Sequence, residues 1–570
     1  MSNEKENNLI NSAVLLVGAT VIVKIIGALY KIPLTTIIGG VGRGYFSTAY
    51  NIYTPVYAVS MAGLPIAVSK LVSQQMALQN FGTVKEIKKV AIKLFFLTGT
   101  LGTAFLFATA RPYAKYIAGT NGVIPCILTI APSIFFCCLM SAYRGYYEGQ
   151  QNMKPTAISE IIEAFSKLIF GLSISFLFSN HLINEYNTLG TVLGTKAYSL
   201  KQAMSMIYPY TAAVSVFGVT IGTIIGFLYL LIIKPKPAVI TNSKSTLSQK
   251  EIAKALIYLA IPIVAGSLIQ NLSNLIDTAT IQNRLEYALS IDNYNLIIKM
   301  YSQSLSISET AINDISTYLF GVYNSALDFK NLVPTVTLAI GISALPTMSR
   351  AWTLKDSFQI SWIINSVLKF SLVIGLPVGL GMAALPREIL TLVYGSSNAD
   401  IIPIAAPIVK IYGLSMALFA VSGPLISTLQ AIGKADVTVK SMAVGAVIKV
   451  MLNYILIGKP TYNINGAPIS TISCFFVIVI WNLASIIKET KVKIKFKDCI
   501  LKPFISSGIC AVCAFLMFNV TVLKIGNNKA VLLSVIFGGI IYIILTLSLR
   551  IITKNELYIL CKREKKRPTT

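Results

Sequence analysis

The sequence predicts an all-α protein that crosses a membrane many times, and three observations lead to this fold class. Of the 570 residues, 55% are hydrophobic and only 12% are charged, whereas a soluble domain carries about 25% charged residues. Apolar runs of about 20 residues, the length that crosses a hydrocarbon core about 30 Å thick, recur along the whole chain. No run of ten residues alternates as a strand of a membrane barrel would, so we expect almost no strand.

Fourteen segments meet this length criterion, and each is predicted to form one membrane-spanning helix. The predicted spans are 9–38, 46–75, 88–110, 122–143, 155–179, 205–233, 252–282, 326–349, 362–385, 402–430, 436–457, 465–487, 501–523 and 529–552. Short polar segments separate them, so consecutive helices are expected to cross in opposite directions.

The charge distribution orients these helices. The chain has 48 Lys and Arg against 22 Asp and Glu, a net charge of +26, which in a soluble protein would suggest nucleic acid. Cytoplasmic loops of membrane proteins also collect Lys and Arg, and that explanation comes first here. Segments 234–254, 488–502 and 562–567 are the most basic, whereas the long loop 283–325 leans acidic. Both termini are therefore predicted to be cytoplasmic, with the basic tail on anionic membrane lipids and no nucleic acid partner.

A weak internal repeat predicts the domain organisation. Gly63-Leu-Pro-Ile-Ala-Val-Ser-Lys70 ends the second span, and Ala344-Leu-Pro-Thr-Met-Ser-Arg350 ends the eighth. A second pair of motifs, around Gly149 and Gly433, has nearly the same separation, 284 residues against 281 (149 to 433 and 65 to 346). We expect two parallel six-helix lobes followed by two extra helices. The predicted boundaries are 1–233 for the first lobe, 234–251 for a cytoplasmic linker, 252–487 for the second lobe, and 488–570 for the last two helices and tail.

Lysines inside the first span are the most informative charges. A charged group at mid-bilayer costs about 2.5–3.5 kcal/mol on insertion scales, so it normally faces a partner or a water-filled cavity. Lys24 and Lys31 share one helix face with Thr20 and Gly27. Lys24 lies near mid-depth and is expected to face a cavity. Lys31 is nearer the outer interface, where it either faces the same cavity or extends towards the head groups.

Further cations lie near the same predicted cavity. Lys330 lies at the start of the eighth span, and Lys70 and Arg144 lie at the cytoplasmic mouth of the predicted cavity. Lys70, Lys369, Lys410 and Lys449 are closer to span ends, and all four are expected to anchor at the membrane interface by default. An excess of buried cations favours an anionic substrate, because one lysine about 4 Å from a phosphate oxygen contributes on the order of 4 kcal/mol at an effective dielectric of 20.

Acidic and polar groups in two other spans suggest a second role. Glu160, Glu163 and Lys167 lie in the fifth span, where Glu163 and Lys167 have the spacing of a helix ion pair. They form either a neutralised structural pair or a polar cavity wall that binds a coupling cation. Asn274 and Asp277 share a face of the seventh span. Asp277 either pairs with a lysine of another span or binds a proton or sodium ion.

Catalytic and metal-binding motifs are missing from the sequence. His181 is the only histidine, and no GxSxG, P-loop, HExxH or paired-carboxylate loop occurs. The glycine-rich segment 39–44 follows a membrane span and is interpreted as a tight external turn. No enzyme activity, cofactor or metal is therefore expected, and energy must come from a Na⁺ or H⁺ gradient, the membrane potential or substrate supply.

Three motifs carry a resemblance to a known family. Lys24-Ile-Ile-Gly-Ala-Leu-Tyr-Lys-Ile-Pro33, Gly63 to Lys70, and Tyr143-Arg-Gly-Tyr-Tyr-Glu-Gly149 with the following Gln151-Asn-Met-Lys-Pro-Thr-Ala-Ile-Ser159 resemble the polysaccharide-exporter branch of the multidrug/oligosaccharidyl-lipid/polysaccharide exporter superfamily. The likeness covers the whole chain and is strongest to the sporulation proteins and lipid II flippases of that branch.

The resemblance implies two lobes around a central cationic cavity, with a groove for a polyprenyl tail on the last two helices. By position, Lys24 and Lys31 match the basic pair of the family's first helix, and Lys70 and Lys330 match its second and eighth helices. The pair is spaced seven residues here, one more than in the lipid II flippases. Lysines also replace arginines, which removes the bidentate fork that grips phosphate.

The function implied by the resemblance is transport of an undecaprenyl-pyrophosphate-linked saccharide across a bacterial cytoplasmic membrane by a monomer that works by alternating access. A peptidoglycan precursor of the lipid II type is the expected substrate. The alternatives are a cation-coupled multidrug exporter or another polysaccharide-unit exporter of the same superfamily, a polymerase of lipid-linked sugars that would use loop 283–325, and a scaffold that transports nothing.

Overall fold

The structure of the chain is a computed structural model that describes residues 2–61, 63–233, 245–290, 294–395 and 398–551. The predicted basic tail and most of the predicted linker 234–251 lie outside the described residues. So does the side chain of Thr20, which was predicted to share a helix face with Lys24.

The chain divides into two compact units, Met1–Asn324 and Ser325–Thr570. The α-helices of the first unit are α1 Ser2–Met61, α2 Leu64–Ala77, α3 Phe81–Tyr113, α4 Ile124–Gly149, α5 Lys154–Leu189, α6 Leu200–Ile232, α7 Gln249–Asp277, α8 Asn283–Ser290, α9 Tyr294–Ile307 and α10 Ile315–Lys330, in which the boundary falls. Those of the second unit are α11 Leu332–Thr353, α12 Ser357–Ala384, α13 Pro386–Tyr394, α14 Ile402–Leu414, α15 Met416–Ala431, α16 Ala435–Ile457, α17 Gly466–Thr490, α18 Lys502–Ile525 and α19 Asn527–Ser548.

These units are grouped by packing and do not coincide with the predicted lobes. Helix α7, which corresponds to the seventh predicted span, packs on α1, α2 and α3 of the first unit. The predicted lobe boundaries at 234–251 and 487 concern topology and stay a prediction.

The predicted all-α membrane fold is confirmed. Among the described residues, 11 helices are long and apolar enough to cross a membrane, or 12 if the pair α14 and α15, bent by 55°, is one span. One of these stretches, Ile22–Ala77, covers two predicted spans, and the predicted count of fourteen stays a prediction. Strand in the described part of the chain is confined to a hairpin in which β1 Thr191–Val192 pairs antiparallel with β2 Thr195–Lys196.

The glycine-rich segment 39–44 is a helix break followed by a packing motif. Gly39 alone leaves the helical conformation, with φ 65° and ψ −179°, a backbone that glycine adopts without a Cβ penalty. Helix α1 resumes at Gly40, so the predicted turn is only one residue long. Gly40 and Gly44 lie one turn apart and face Gly321 of α10. A Cβ added to Gly321 would lie 1.9 Å from the backbone oxygen of Gly40. Small residues at this spacing let two helix backbones approach closely.

A second glycine motif fixes the polar face of α5. Gly218 and Gly222 of α6 lie one turn apart, and a Cβ at Gly222 would lie 2.7 Å from the backbone oxygen of Glu163. A Cβ at Gly218 would lie 2.4 Å from the Cα of Gly171 in α5. Helix α6 therefore packs directly on the α5 backbone and holds the residues around Glu163 in a fixed orientation.

The prediction of a long loop over 283–325 is wrong for its last part, where α10 begins at Ile315. Tyr318, Phe320 and Tyr323 of α10 are each fully buried, because the apolar run that contains them forms a core helix instead of a surface insertion. Asp314 lies just before this helix and accepts hydrogen bonds from the Tyr45 hydroxyl at 2.9 Å and the Ser205 hydroxyl at 2.5 Å. Burial raises the pKa of Asp314, and these two hydrogen bonds lower it in part.

Candidate functional site

An ion pair between two helices forms the centre of a polar cluster in the first unit. Arg144 of α4 places Nη2 3.0 Å from Oε2 of Glu163 in α5, and its Nε donates to the Ser159 hydroxyl at 2.8 Å. The two charged side chains are 13% and 28% exposed. Glu163 thus takes its partner from another helix, and the predicted pairing with Lys167 in the same helix is replaced. Charge-assisted hydrogen bonds of this kind are among the stronger polar contacts in proteins.

Lys167 lies between two tyrosines. Its ammonium donates to the Tyr50 hydroxyl at 3.0 Å and lies 4.9 Å from the centre of the Tyr30 ring and 5.3 Å from that of Tyr50. The Tyr30 hydroxyl in turn donates to the backbone oxygen of Ser215 at 2.9 Å. Aromatic faces attract a cation through the ring quadrupole, so this arrangement compensates the buried ammonium.

An aromatic row on α1 borders the cluster, and the sequence analysis missed it. Phe46, Tyr50, Tyr53 and Tyr57 follow one another with ring-centre separations of 4.9, 5.6 and 5.6 Å. Their spacing of four, three and four residues places them on one helix face, so the signal was present in the sequence. Arg43, interpreted only as part of a turn, is buried and lies 5.5 Å from the Phe46 ring centre.

Acidic and basic groups are equal in number in this cluster once buried Arg43 is included. Glu148 and Glu160 both act on Arg144 through space, in addition to Glu163. With Arg43, Arg144 and Lys167 as the three cations, the six side chains carry a net formal charge of zero. The cation excess predicted for the whole cavity is therefore not a property of this cluster.

Lys24 and Lys31 lie on one face of α1, on either side of Gly27. Lys24 is exposed, Lys31 is half-buried, and no heavy atom of the described structure lies within 4 Å of a Cβ placed on Gly27 between them. Ile26 and Tyr30, on another side of α1, are buried. The predicted lysine face is thus separate from the packed face of the same helix.

The other predicted residues of the first unit lie apart from the ion pair. Lys70 is exposed on α2, and Asn274 is exposed near the end of α7. Asp277 is buried, and the next residue, Thr278, accepts a hydrogen bond from the Asn51 amide at 2.8 Å. The roles predicted for Lys70, Asn274 and Asp277 stay predictions.

Lys330 lies in an aromatic cage in the second unit. Its ammonium is 5.8 Å from the ring centre of Tyr412, 5.2 Å from that of Phe419 and 5.3 Å from that of Phe475. Lys330 occupies the last turn of α10, where the helix dipole also favours a cation.

Two lysines expected at the membrane interface are buried instead. Lys369 of α12 is 9% exposed and Lys449 of α16 is 3% exposed. Lys449 lies on the α16 face that also carries Gly445, which packs against Cys474 and Ile478 of α17. The anchoring expectation is wrong for both, because a position near the end of a predicted span does not reveal which face the neighbouring helix covers.

An apolar cavity of the first unit does not suit a polar ligand. It has a volume of about 720 Å³ and is lined by residues of α1, α3 and α7, among them Ile52, Phe105 and Leu275. Hydroxyl groups in its wall are already bonded to backbone: Thr109 donates to the Phe105 oxygen at 2.7 Å, and Tyr113 donates to the Thr48 oxygen at 2.9 Å. A saccharide would find few polar partners there. Among the described residues, no group of three or more His, Cys, Asp or Glu side chains is placed to hold a metal ion.

The sequence profile of the family described as "Polysaccharide biosynthesis protein" matches residues 9–352, more than half of the chain. The chain belongs to this family. A second profile, described as MatE, matches residues 296–455. Together with the helical fold, these matches place the protein among the transporters of the multidrug/oligosaccharidyl-lipid/polysaccharide exporter superfamily, as the resemblance implied, and not among enzymes.

Curated relatives cover most of the chain. Stage V sporulation protein B of Bacillus subtilis (strain 168) is 23% identical over 560 residues, which is 96% of this chain and 96% of that protein. Lipid II flippase MurJ of the same organism is 26% identical over 470 residues, 79% of this chain and 78% of that protein. The likeness to each of these two proteins therefore extends over more than three quarters of this chain.

Solved structures agree with the fold. Lipid II flippase MurJ in an inward closed conformation matches with a TM-score of 0.61 at 16% identity, covering 94% of this chain and 99% of that one. A multidrug resistance MATE family transporter in an inward-facing conformation matches with a TM-score of 0.58 at 13% identity, covering 82% of this chain and 99% of that one. These likenesses establish the architecture of the helices.

Proposed function

We propose that this protein is a flippase that carries an undecaprenyl-pyrophosphate-linked saccharide, of the lipid II type, across the cytoplasmic membrane by alternating access. The observation that carries the proposal is the lysine face of α1, where Lys24 is exposed and Lys31 is half-buried on either side of Gly27. A lysine at mid-depth in contact with acyl chains would cost about 2.5–3.5 kcal/mol. An exposed Lys24 beside a half-buried Lys31 therefore favours a surface that meets water and an anionic ligand.

The diphosphate of the substrate suits this face. Each lysine that comes within about 4 Å of a phosphate oxygen contributes on the order of 4 kcal/mol before desolvation. Lysine acts as a point charge without a planar fork, so several lysines around a mobile diphosphate are a suitable arrangement for a ligand that must be released again. Lys330, Lys70 and Arg144 are further proposed substrate contacts.

The energy source belongs to the same proposal. Glu160, Glu163, Lys167, Asn274 and Asp277 are the candidate groups for coupling to Na⁺ or H⁺, and the membrane potential is the alternative. The likeness to a lipid II flippase and to a sporulation protein along most of the chain supports the proposed substrate class.

Complementation tests the proposal. Cells depleted of their own lipid II flippase would express the Lys24→Ala, Lys31→Ala double variant, and lipid II accessible at the outer leaflet would be measured. We expect outer-leaflet lipid II to fall to the level of uncomplemented cells. Lys154→Ala, an exposed lysine at the start of α5, is the matched control and should complement fully. Unchanged transport by the well-expressed double variant would refute the lysine site.

A cation-coupled exporter of small molecules is the second candidate. The three acids around Arg144 and the MatE match over residues 296–455 favour it. This function predicts that the protein exports cationic dyes, that Glu163→Gln abolishes export, and that Lys24 and Lys31 are dispensable. The flippase predicts the opposite dependence on the two lysines.

A further inference from the structure

A segment of alternating lysines connects α17 to α18 in the second unit. Residues 491–497 read Lys-Val-Lys-Ile-Lys-Phe-Lys, and Lys491, Lys493, Lys495 and Lys497 are all exposed. We refer to these four residues as the lysine row. Residues 492–495 form no helix, Lys491 caps α17 with a left-handed backbone (φ 54°), and Lys497 begins a short π-helix, Lys497–Leu501. Val492 is buried in the hydrophobic core of the second unit, and Ile494 packs against the same core.

One side chain of α12 fixes the backbone of this segment. The side-chain amide nitrogen of Asn365 donates to the backbone oxygen of Lys493 at 3.3 Å. Its side-chain oxygen accepts from the backbone N–H of Lys495 at 2.9 Å. Asn365 is itself buried and also donates to the Ser361 oxygen at 2.9 Å within α12. A buried amide that serves both backbone groups holds the segment in one register, since losing either bond would leave a buried polar atom unsatisfied. The lysine row is therefore positioned by the fold and is not a loose loop.

The acids near this segment are already paired with other lysines. Glu489 lies 3.0 Å from Lys434, and Asp498 lies 2.6 Å from Lys502. Within the described parts of the chain, no member of the lysine row forms an ion pair. The row thus presents four exposed positive charges, of which Lys495 is also attracted by Asp498.

The surroundings identify the kind of ligand. The helices on both sides, α17 and α18, are long and apolar enough to cross the membrane, so the row lies at a membrane boundary. Phe496 is 60% exposed within the row, and aromatic residues are enriched at the depth of the lipid head groups. Basic segments beside a membrane span attract anionic lipids. A row of cations beside an exposed ring matches a surface of phosphate groups above acyl chains.

We propose that the lysine row is a binding site for the head groups of anionic phospholipids in the adjoining leaflet. Asn365 positions the row, Val492 and Ile494 anchor it to the core, and the four ammonium groups contact lipid phosphates. The site is independent of the substrate and lies in a segment distinct from the basic tail. It would bias the ring of lipids around the second unit towards anionic species.

Lipid titration of the full-length protein tests the site. Purified protein in a neutral detergent would be titrated with short-chain phosphatidylglycerol, with short-chain phosphatidylcholine as the neutral comparison, and bound lipid would be counted by native mass spectrometry. A lysine near an anionic surface is worth about fivefold in affinity, from about 1 kcal/mol per residue. Changing all four lysines of the row to alanine should weaken phosphatidylglycerol binding at least tenfold and leave phosphatidylcholine binding unchanged.

The matched control removes the same charge elsewhere. Changing Lys85, Lys154, Lys250 and Lys254 to alanine also removes four exposed lysines from the predicted cytoplasmic side, and should change binding less than twofold. Equal losses in both quadruple variants would overturn the proposal, because binding would then follow net charge alone. Wild-type binding by the row variant would overturn it as well.

Asn365→Ala separates a positioned site from a charge effect, since it keeps all four lysines. We expect weaker phosphatidylglycerol binding and unchanged phosphatidylcholine binding. Fully retained binding would show that positioning by Asn365 is not part of the site. Melting curves in lipid-free detergent check that each variant is folded, and the four-lysine variant, whose substitutions are all exposed, tests the row even if Asn365→Ala is unstable.

Discussion

The ion pair between Arg144 and Glu163 gives the sharpest prediction about the interior of the first unit. At 3.0 Å, the two charges attract each other by about 5 kcal/mol in an effective dielectric of 20, before desolvation and side-chain entropy are subtracted. Since both side chains are only 13% and 28% exposed, solvent screens the pair incompletely. We expect Arg144→Ala to destabilise the protein by about 2–4 kcal/mol, because Glu163 is then left without its partner.

A double-mutant cycle measures the pair itself. Arg144→Ala, Glu163→Ala and the double variant would be unfolded in the same detergent, and their apparent free energies of unfolding compared. The account predicts a coupling of about 1–3 kcal/mol. A parallel cycle between Glu163 and Lys167 should give a smaller coupling, since Lys167 donates to Tyr50 instead.

Two results would refute this reasoning. Additivity of the Arg144 and Glu163 effects within about 0.5 kcal/mol would mean that the two side chains do not interact. A stronger coupling to Lys167 than to Arg144 would restore the pairing predicted from the sequence and contradict the structure.

Three further predictions follow from other contacts. Gly321→Ala should destabilise the protein by about 1–3 kcal/mol through overpacking. Gly381→Ala should not, because no atom lies within 4 Å of the added Cβ. Equal melting temperatures of the two variants would contradict the contact between α1 and α10. Burial raises the pKa of Asp314, so its charged form opposes folding, and the stability of the protein should rise as the pH falls through that raised pKa. Asp314→Asn should remove this pH dependence. An unchanged pH profile of the melting temperature in Asp314→Asn would contradict the prediction. Tyr50→Phe should lower the free energy of unfolding by about 1–2 kcal/mol, because Lys167 loses a hydrogen-bond acceptor but keeps its contact with the ring. Tyr50→Leu, which also removes the ring, should lower it further, and unfolding of both variants checks this order.

Properties that depend on length and composition could be predicted from the sequence. The apolar runs located the spanning helices, and the glycine-rich segment located the break at Gly39. The charged residues of α4 and α5 were correctly selected as candidates, because an ionisable group in an apolar span needs a partner.

Partner choice could not be predicted, because it depends on which helices meet. The i, i+4 spacing favoured Lys167 for Glu163, but α4 brings Arg144 into hydrogen-bonding distance. The same gap explains Lys449, whose burial depends on α17 covering one face of α16. It also explains the aromatic cage of Lys330, which draws its rings from three different helices. The row from Phe46 to Tyr57 is different, since its helical spacing could have been read from the sequence.

The central claim is that a lysine face of α1 recognises the diphosphate of a lipid-linked saccharide. Purified protein reconstituted in liposomes would be given fluorescent lipid II, another undecaprenyl-pyrophosphate-linked saccharide, and an undecaprenyl-monophosphate-linked sugar, and the rate of transfer between leaflets measured for each. The account predicts rapid transfer of lipid II, slower transfer of the monophosphate compound, and loss of both rates in the Lys24→Ala, Lys31→Ala variant. Equal transfer of all three lipids by the wild-type protein and the variant would contradict it.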